Sequence, residues 1–104
     1  MGGSGIEPPG LVAITLKGGE YDIARRDELH AELAPAETAP VAAIDFSKVE
    51  FADSTALGCL LHLKKRMGER HDNPVIRLSG VRPSIERLLD ITGLTKIFEI
   101  VPAE

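Results

Sequence analysis

A single α/β domain, a mixed β-sheet of about five strands with helices packed on it, is the fold class this sequence predicts. Three observations carry that prediction. Short apolar runs bounded by glycine, proline or charge recur over residues 11–16, 41–46, 74–78 and 97–101, as buried strands do. Between them lie longer stretches whose apolar residues repeat at helical spacing. Hydrophobic residues make up 43% of the 104 and charged residues 27%, the balance of one globular domain too short to be two.

Each element follows from its residues. Residues 1–10 open with Met1-Gly2-Gly3-Ser4-Gly5, whose glycines would lose much backbone entropy on ordering, so they are set aside as a flexible tail and 11–104 as the domain. Leu11 to Leu16 reads as a first strand closed by Gly18-Gly19, and Tyr21 begins a short second one. From Ile23 to Leu33 the apolar positions are mainly Ile23, Leu29 and Leu33, a weakly amphipathic helix that stops before Pro35, with a loop to Pro40. Val41 to Phe46 is too apolar for a solvated face and belongs in the middle of the sheet.

A second long helix begins near Ser54. On a 3.6-residue period Ala56, Cys59, Leu60, Leu63 and Met67 share one face, His62, Lys65 and Arg66 point away, and Leu57 and Leu61 lie at the edge of the stripe until Gly68 ends it. Residues 74–78 form another strand, and Val81, Ile85, Leu88 and Leu89 repeat at helical spacing behind Pro83, which suits a first helical turn. Gly93 is expected in the left-handed conformation just past that helix, with Leu94 folding back onto Leu89. Residues 97–101 supply the last strand, and the strand–helix alternation implies right-handed crossovers wherever parallel strands are joined.

Composition excludes several kinds of function. A net charge of −4 disfavours nucleic acid as a partner, and the one basic run, Lys64-Lys65-Arg66, reads as a solvated helix face. Only 4% of residues are aromatic, which suits an aliphatic core better than a pocket for a large cofactor, and neither cofactor nor metal is expected. Cys59 is the only cysteine, expected buried, which fits a reducing cytoplasm. No stretch approaches the ~20 apolar residues of a membrane span, and no signal-peptide pattern opens the chain, so a cytoplasmic protein without a membrane association is expected.

The most informative segment runs from Phe51 to Gly58, where hydroxyls stand between a strand and the start of an apolar helix. Backbone N–H groups are unpaired at such a place, and Asp53, Ser54 or Thr55 can accept from them; a helix cap and a functional hydroxyl are both open readings. Asp53-Ser54-Thr55-Ala56-Leu57-Gly58 resembles the Asp-Ser-Ser-Gly-Leu-Gly signature of the anti-sigma-factor antagonists of the STAS family. Gly19-Glu20-Tyr21-Asp22 is similar to that family's Gly-Glu-Leu-Asp turn, and Arg87-Leu88-Leu89-Asp90-Ile91-Thr92-Gly93-Leu94 to its closing motif. The resemblance covers about residues 11–101.

That resemblance implies a STAS-like fold and a switch. It makes Ser54 the residue phosphorylated by a partner that is both anti-sigma factor and serine kinase, and dephosphorylated by a metal-dependent serine phosphatase. It further implies that the unmodified protein binds the anti-sigma factor and frees the sigma factor, with Asp22, Asp53, Ser54, Thr55, Leu57 and Leu61 as partner contacts. From the residues alone, Asp22 reads equally as a turn carboxylate and the two leucines as core. Thr55 replaces the family's second serine and becomes a second acceptor; Ala56 replaces its glycine and removes backbone freedom. The chain stops at Glu104 where the family continues into a last helix, so one flank of the sheet is expected to be uncovered; a monomer or weak dimer is expected.

Rival readings are weaker. An enzyme needs a base near Ser54, and His30, His62 and His71 are expected away from it; no nucleophile elbow, phosphate-binding glycine loop or metal-ligand spacing is present. A receiver domain needs an acidic pair after the first strand, where this chain has Lys17-Gly18-Gly19. The alternative within the resemblance is a scaffold subunit of a stressosome-like stress-sensing assembly; a cytoplasmic module of an anion transporter is disfavoured by the lack of a membrane segment.

Overall fold

The computed structural model describes residues 10–101; apart from Gly10, the tail expected over 1–10 lies outside them. Strand β1 (Leu11–Thr15) leads through Gly18 into β2 (Gly19–Tyr21), followed by a 3-10 turn (Ile23–Arg25) and helix α1 (Arg26–Leu33). A second 3-10 turn (Ala34–Ala36) precedes β3 (Val41–Asp45) and β4 (Val49–Ala52), and α2 spans Ser54–Gly68. Then come β5 (Val75–Ser79), α3 (Pro83–Ile91), a 3-10 turn (Leu94–Lys96) and β6 (Glu99–Ile100).

The α/β class is as expected, with differences in the sheet. The six strands of the described residues, close to the expected count of about five, divide into a four-stranded sheet of order β1-β3-β5-β6 and a two-stranded ribbon β2-β4, and every pairing among them is parallel where a mixed sheet was expected. The expectation missed β4 altogether, and Tyr21 closes β2 instead of beginning it. The last strand is shorter than 97–101, because Leu94 to Lys96 take a 3-10 turn first.

Register explains which face of the large sheet is covered. Val12, Ala42 and Ile76 lie side by side, as do Ile14, Ile44, Leu78 and Ile100, and the members of these rows on β3 and β5 are fully buried. The alternate row, Ala13, Ala43, Arg77 and Glu99, is half-buried or exposed, with Arg77 paired to Glu99 at 3.0 Å. Side chains alternate along a strand, so the helices pack on the first face, and β3 has a partly open face despite its apolar sequence. Leu29 and Leu33 of α1, Cys59, Leu60, Leu63 and Met67 of α2, and Ile85 and Leu89 of α3 complete one core with that face.

Two details fix the ends of elements. Gly93 has φ +77° and donates its N–H to the Asp90 carbonyl at 3.1 Å, the shorter of the two bonds of the expected helix-ending motif, and Leu94 is buried in the core with Leu89. Lys64, expected in a solvated basic face, instead donates from Nζ to the carbonyls of Pro74 at 3.0 Å and Ile97 at 3.2 Å, tying α2 to the strand ends at the far side of the sheet.

Tyr21 anchors the turn that leads to α1. Its hydroxyl donates to Glu32 Oε2 at 2.7 Å and accepts the Gly18 N–H at 3.2 Å, while the Arg25 guanidinium lies 4.1 Å from the ring centroid. Arg25 Nη1 in turn donates to the carbonyls of Gly18 and Glu20. Burial, aided by the Glu32 carboxylate, holds the Tyr21 phenol above its ordinary pKa. A phenol whose pKa is higher folded than unfolded contributes stability that is complete below about pH 10 and is lost as pH rises through the folded value. Urea unfolding at increasing alkaline pH is therefore expected to show a decline that Tyr21→Phe, less stable at neutral pH, shows to a smaller extent; identical pH slopes in the two proteins would contradict this.

Candidate functional site

The β2-β4 ribbon sets the site. Its parallel register places Tyr21 beside Ala52, so both strands end together, and each runs directly into a helical start. The Asp53 N–H reaches back to the Tyr21 carbonyl at 3.4 Å. Asp22 and Asp53 therefore stand next to one another as the caps of those two starts: Asp22 Oδ1 accepts from the Ala24 N–H at 3.0 Å and Asp53 Oδ1 from the Thr55 N–H at 2.8 Å.

Asp53 is the cap of α2, and its own carbonyl accepts from Ala56 and Leu57. Ser54 is the first helical residue, exposed, with its hydroxyl taking no part in the cap. Thr55 is half-buried. Replacing Asp53 by alanine removes the side-chain acceptor and is expected to lower stability by about 1 kcal/mol, while Ser54→Ala is expected to cost only a few tenths. Thermal unfolding of the two variants checks this, and a larger loss at Ser54 would mean that its hydroxyl is part of the cap.

The other expected contacts separate. Leu57 is 5% exposed and belongs to the core, so packing accounts for it and it is not available to a partner. Leu61 is 39% exposed on the outer side of α2, on the same helix as Ser54 with the open Gly58 between them. Ile23, read from the sequence as an apolar position of the first helix, is instead 76% exposed at the start of the first 3-10 turn.

A groove of about 750 Å³ runs between α1 and α2 and includes Ser54, Ile23, Arg26, His30 and His62. α1 and α2 pack against each other, and the rings of His30 and His62 meet edge to face with centroids 5.1 Å apart; neither ring is hydrogen-bonded to Ser54, and His62 lies two helical turns from it. His71 does lie elsewhere, its Nε2 2.9 Å from the Thr38 carbonyl oxygen. Cys59 is buried at the base of this groove, and desolvation pushes its thiol pKa up. No cluster of three or more histidine, cysteine or acidic side chains that could hold a metal ion occurs among the described residues, and no helix among them is long and apolar enough to cross a membrane.

The sequence profile of the family described as "Mlab, STAS domain" matches residues 11–102, nearly the whole chain. The chain belongs to the STAS domain family. Among solved structures, this STAS domain is similar to an anti-sigma factor antagonist from Mycobacterium paratuberculosis, at 24% identity and a TM-score of 0.75, covering 93% of this chain and 81% of that one. It is also similar to the anti-sigma factor antagonist SpoIIAA in its unphosphorylated form, at 19% identity and a TM-score of 0.70 over 88% of this chain and 80% of that one. The phosphorylated form, described as a Bacillus cell fate determinant, gives a TM-score of 0.63 at 19% identity over 89% and 84%. A sulfate transporter family protein from Wolinella succinogenes has the same fold at 20% identity and a TM-score of 0.67, covering 90% of this chain and 80% of that one. No curated protein matches the sequence. These likenesses establish the fold.

Proposed function

We propose that this STAS domain is an anti-sigma-factor antagonist. It binds an anti-sigma factor that is also a serine kinase while Ser54 is unmodified, and it is released when Ser54 is phosphorylated. The observation that carries this reading is the exposed Ser54 at the first position of α2, its hydroxyl free because Asp53 supplies the cap. Such a side chain can be modified without unmaking the helix. Thr55, half-buried with its N–H held by Asp53, is the poorer acceptor.

Electrostatics gives the switch its direction. A phosphoryl group adds about −1.5 to −2 charge at neutral pH. It would arrive beside the carboxylates of Asp22 and Asp53, at the centre of a surface whose apolar contacts are Ile23 and Leu61. A partner packed over that surface would have to desolvate a dianion next to two acids, which is costly unless a matching cation is provided. Release then needs no refolding. A metal-dependent serine phosphatase resets the domain, which works in the cytoplasm as a monomer or weak dimer and carries out no catalysis of its own.

The test is a binding measurement. The anti-sigma kinase is recovered by capture on unmodified protein, and its affinity is compared for the unmodified form and for protein with phosphoserine installed at position 54. The expected loss is about 100-fold or more. Equal affinity of the two forms, or release under signal that persists in Ser54→Ala, would refute the proposal. Elution of the native protein in a megadalton assembly would favour a scaffold role instead.

A further inference from the structure

The two edges of the large sheet differ in kind. Strand β6 is two residues long and carries Glu99 in an ion pair with Arg77, and a short, charged edge is one that another chain pairs with poorly. Strand β1 is five residues long, Leu11-Val12-Ala13-Ile14-Thr15, with no charge, no proline and an unbroken register against β3. The Leu16 N–H bonds the Asp45 carbonyl at 3.2 Å, so the even-numbered residues of β1 turn their backbone groups towards β3, and Leu11, Ala13 and Thr15 turn theirs outward. The next outward N–H, that of Lys17, is taken by Glu32 Oε1 at 2.8 Å. None of the described residues does the same for Ala13 or Thr15.

The side chains report the same opening. Val12 and Ile14 lie in the rows that face the helices, yet both are only half-buried where Ala42, Ile44, Ile76 and Leu78 beside them are fully enclosed. A further strand would continue both rows. Residues 1–9 reach β1 through Pro8-Pro9, which have no N–H to give to the outward carbonyls. A second copy of the chain, by contrast, matches the edge through symmetry. In antiparallel pairing about a two-fold axis at Ala13, that residue meets its own counterpart, Leu11 meets Thr15, and Val12 meets Ile14. No charge is then set against a like charge, because neither β1 nor the turn Ala34–Ala36 that packs beside it holds a charged side chain.

We propose that the β1 edge is a self-association surface, at which two copies pair their β1 strands antiparallel and join two four-stranded sheets into one continuous sheet. The outward backbone groups of Leu11, Ala13 and Thr15 then satisfy one another, and Val12 and Ile14 gain apolar neighbours across the axis. A contact one strand wide covers less than the roughly 1,200 Å² of a stable interface, so the dimer is a weak one that forms at about 100 µM and above. The inference stands apart from the antagonist reading and does not involve Ser54.

Sedimentation velocity of the full chain from about 10 µM to 1 mM is expected to show a monomer–dimer equilibrium. Ala13→Lys, at an exposed position, sets two ammonium groups against each other on the axis and is expected to weaken the dimer at least about tenfold. Register is read by cross-linking with oxidised glutathione. Ala13→Cys places two thiols on a directly opposed pair with Cα atoms about 5.5 Å apart, within disulfide reach. Thr15→Cys, also exposed, places them more than about 13 Å apart and is expected to link at least about tenfold more slowly. Amide exchange at Ala13 and Thr15 identifies the occupant, with protection expected to rise with protein concentration. Protection independent of concentration would give the edge to residues 1–9, and no protection at about 1 mM would leave it to solvent. Either result overturns the proposal, as would equal linking at positions 13 and 15 or a dimer indifferent to Ala13→Lys.

Discussion

Leu60→Ala is expected to lower the unfolding free energy by about 3–4 kcal/mol, a large part of the total for a domain of this size. Leu60 is 1% exposed on the inner face of α2. There it joins the core that α1, α2, α3 and the sheet share, so truncation leaves a cavity where those layers meet. Its neighbour Leu61 is 39% exposed, and Leu61→Ala is expected to cost less than about 0.5 kcal/mol while weakening partner binding. Urea unfolding of the two single variants makes the comparison. Similar losses at 60 and 61 would mean that α2 is rotated from the orientation described, and with it the exposure of Ser54.

The second large effect is expected at Gly18. Its φ of +96° is a conformation that side chains disfavour, and a Cβ there would sit 2.1 Å from the Lys48 carbonyl oxygen. That carbonyl also accepts the Gly19 N–H at 2.8 Å, the bond that starts the β2-β4 ribbon. Gly18→Ala must therefore push apart the two strands whose ends hold Asp22 and Asp53. A loss of about 3 kcal/mol or more is expected, from the backbone conformation and the clash together. Gly58→Ala is the control, since its Cβ would meet nothing within 4 Å in a helix, and it is expected to be neutral or stabilising by up to about 1 kcal/mol. Calorimetry of both variants is sufficient; a tolerated Gly18→Ala would mean that the turn has freedom the structure denies it.

Much of this fold was legible because its signals are local. The apolar runs of β1, β3 and β5, the stripe of α2 and the Pro83-to-Gly93 frame of α3 each report on residues within a turn or a strand of one another. Strand β4 was not legible. Val49 and Ala52 are buried and Glu50 and Phe51 are exposed, a pattern without alternation, and its partner β2 is three residues long with a register shift after Gly19. Only the pairing of the two makes either a strand. The Ser54 segment stood out as a helix start next to hydroxyls, but which oxygen caps the helix was settled by backbone angles, which assign the task to Asp53. The histidine pair was invisible for a different reason. His30 and His62 meet because α1 and α2 lie side by side, and no local spacing encodes the packing of two helices. Lys64 was misread likewise, since its acceptors Pro74 and Ile97 belong to other elements.

The exclusively parallel ladders also bear on how the chain reaches this state. Leu11 pairs with Val41, Val41 with Val75 and Gly19 with Val49, so these ladders join residues roughly thirty apart and none of the described strands can zip up as a hairpin. Loop closure must come before any of these contacts rewards it, which places refolding in the slower range for small domains, milliseconds to seconds. Strand β3, paired with β1 on one side and β5 on the other, cannot be completed until chain on either flank of it has been synthesised. During synthesis, β3 will therefore keep an unpaired edge until β5 has emerged from the ribosome, and the row of side chains that buries the helices will be incomplete until then.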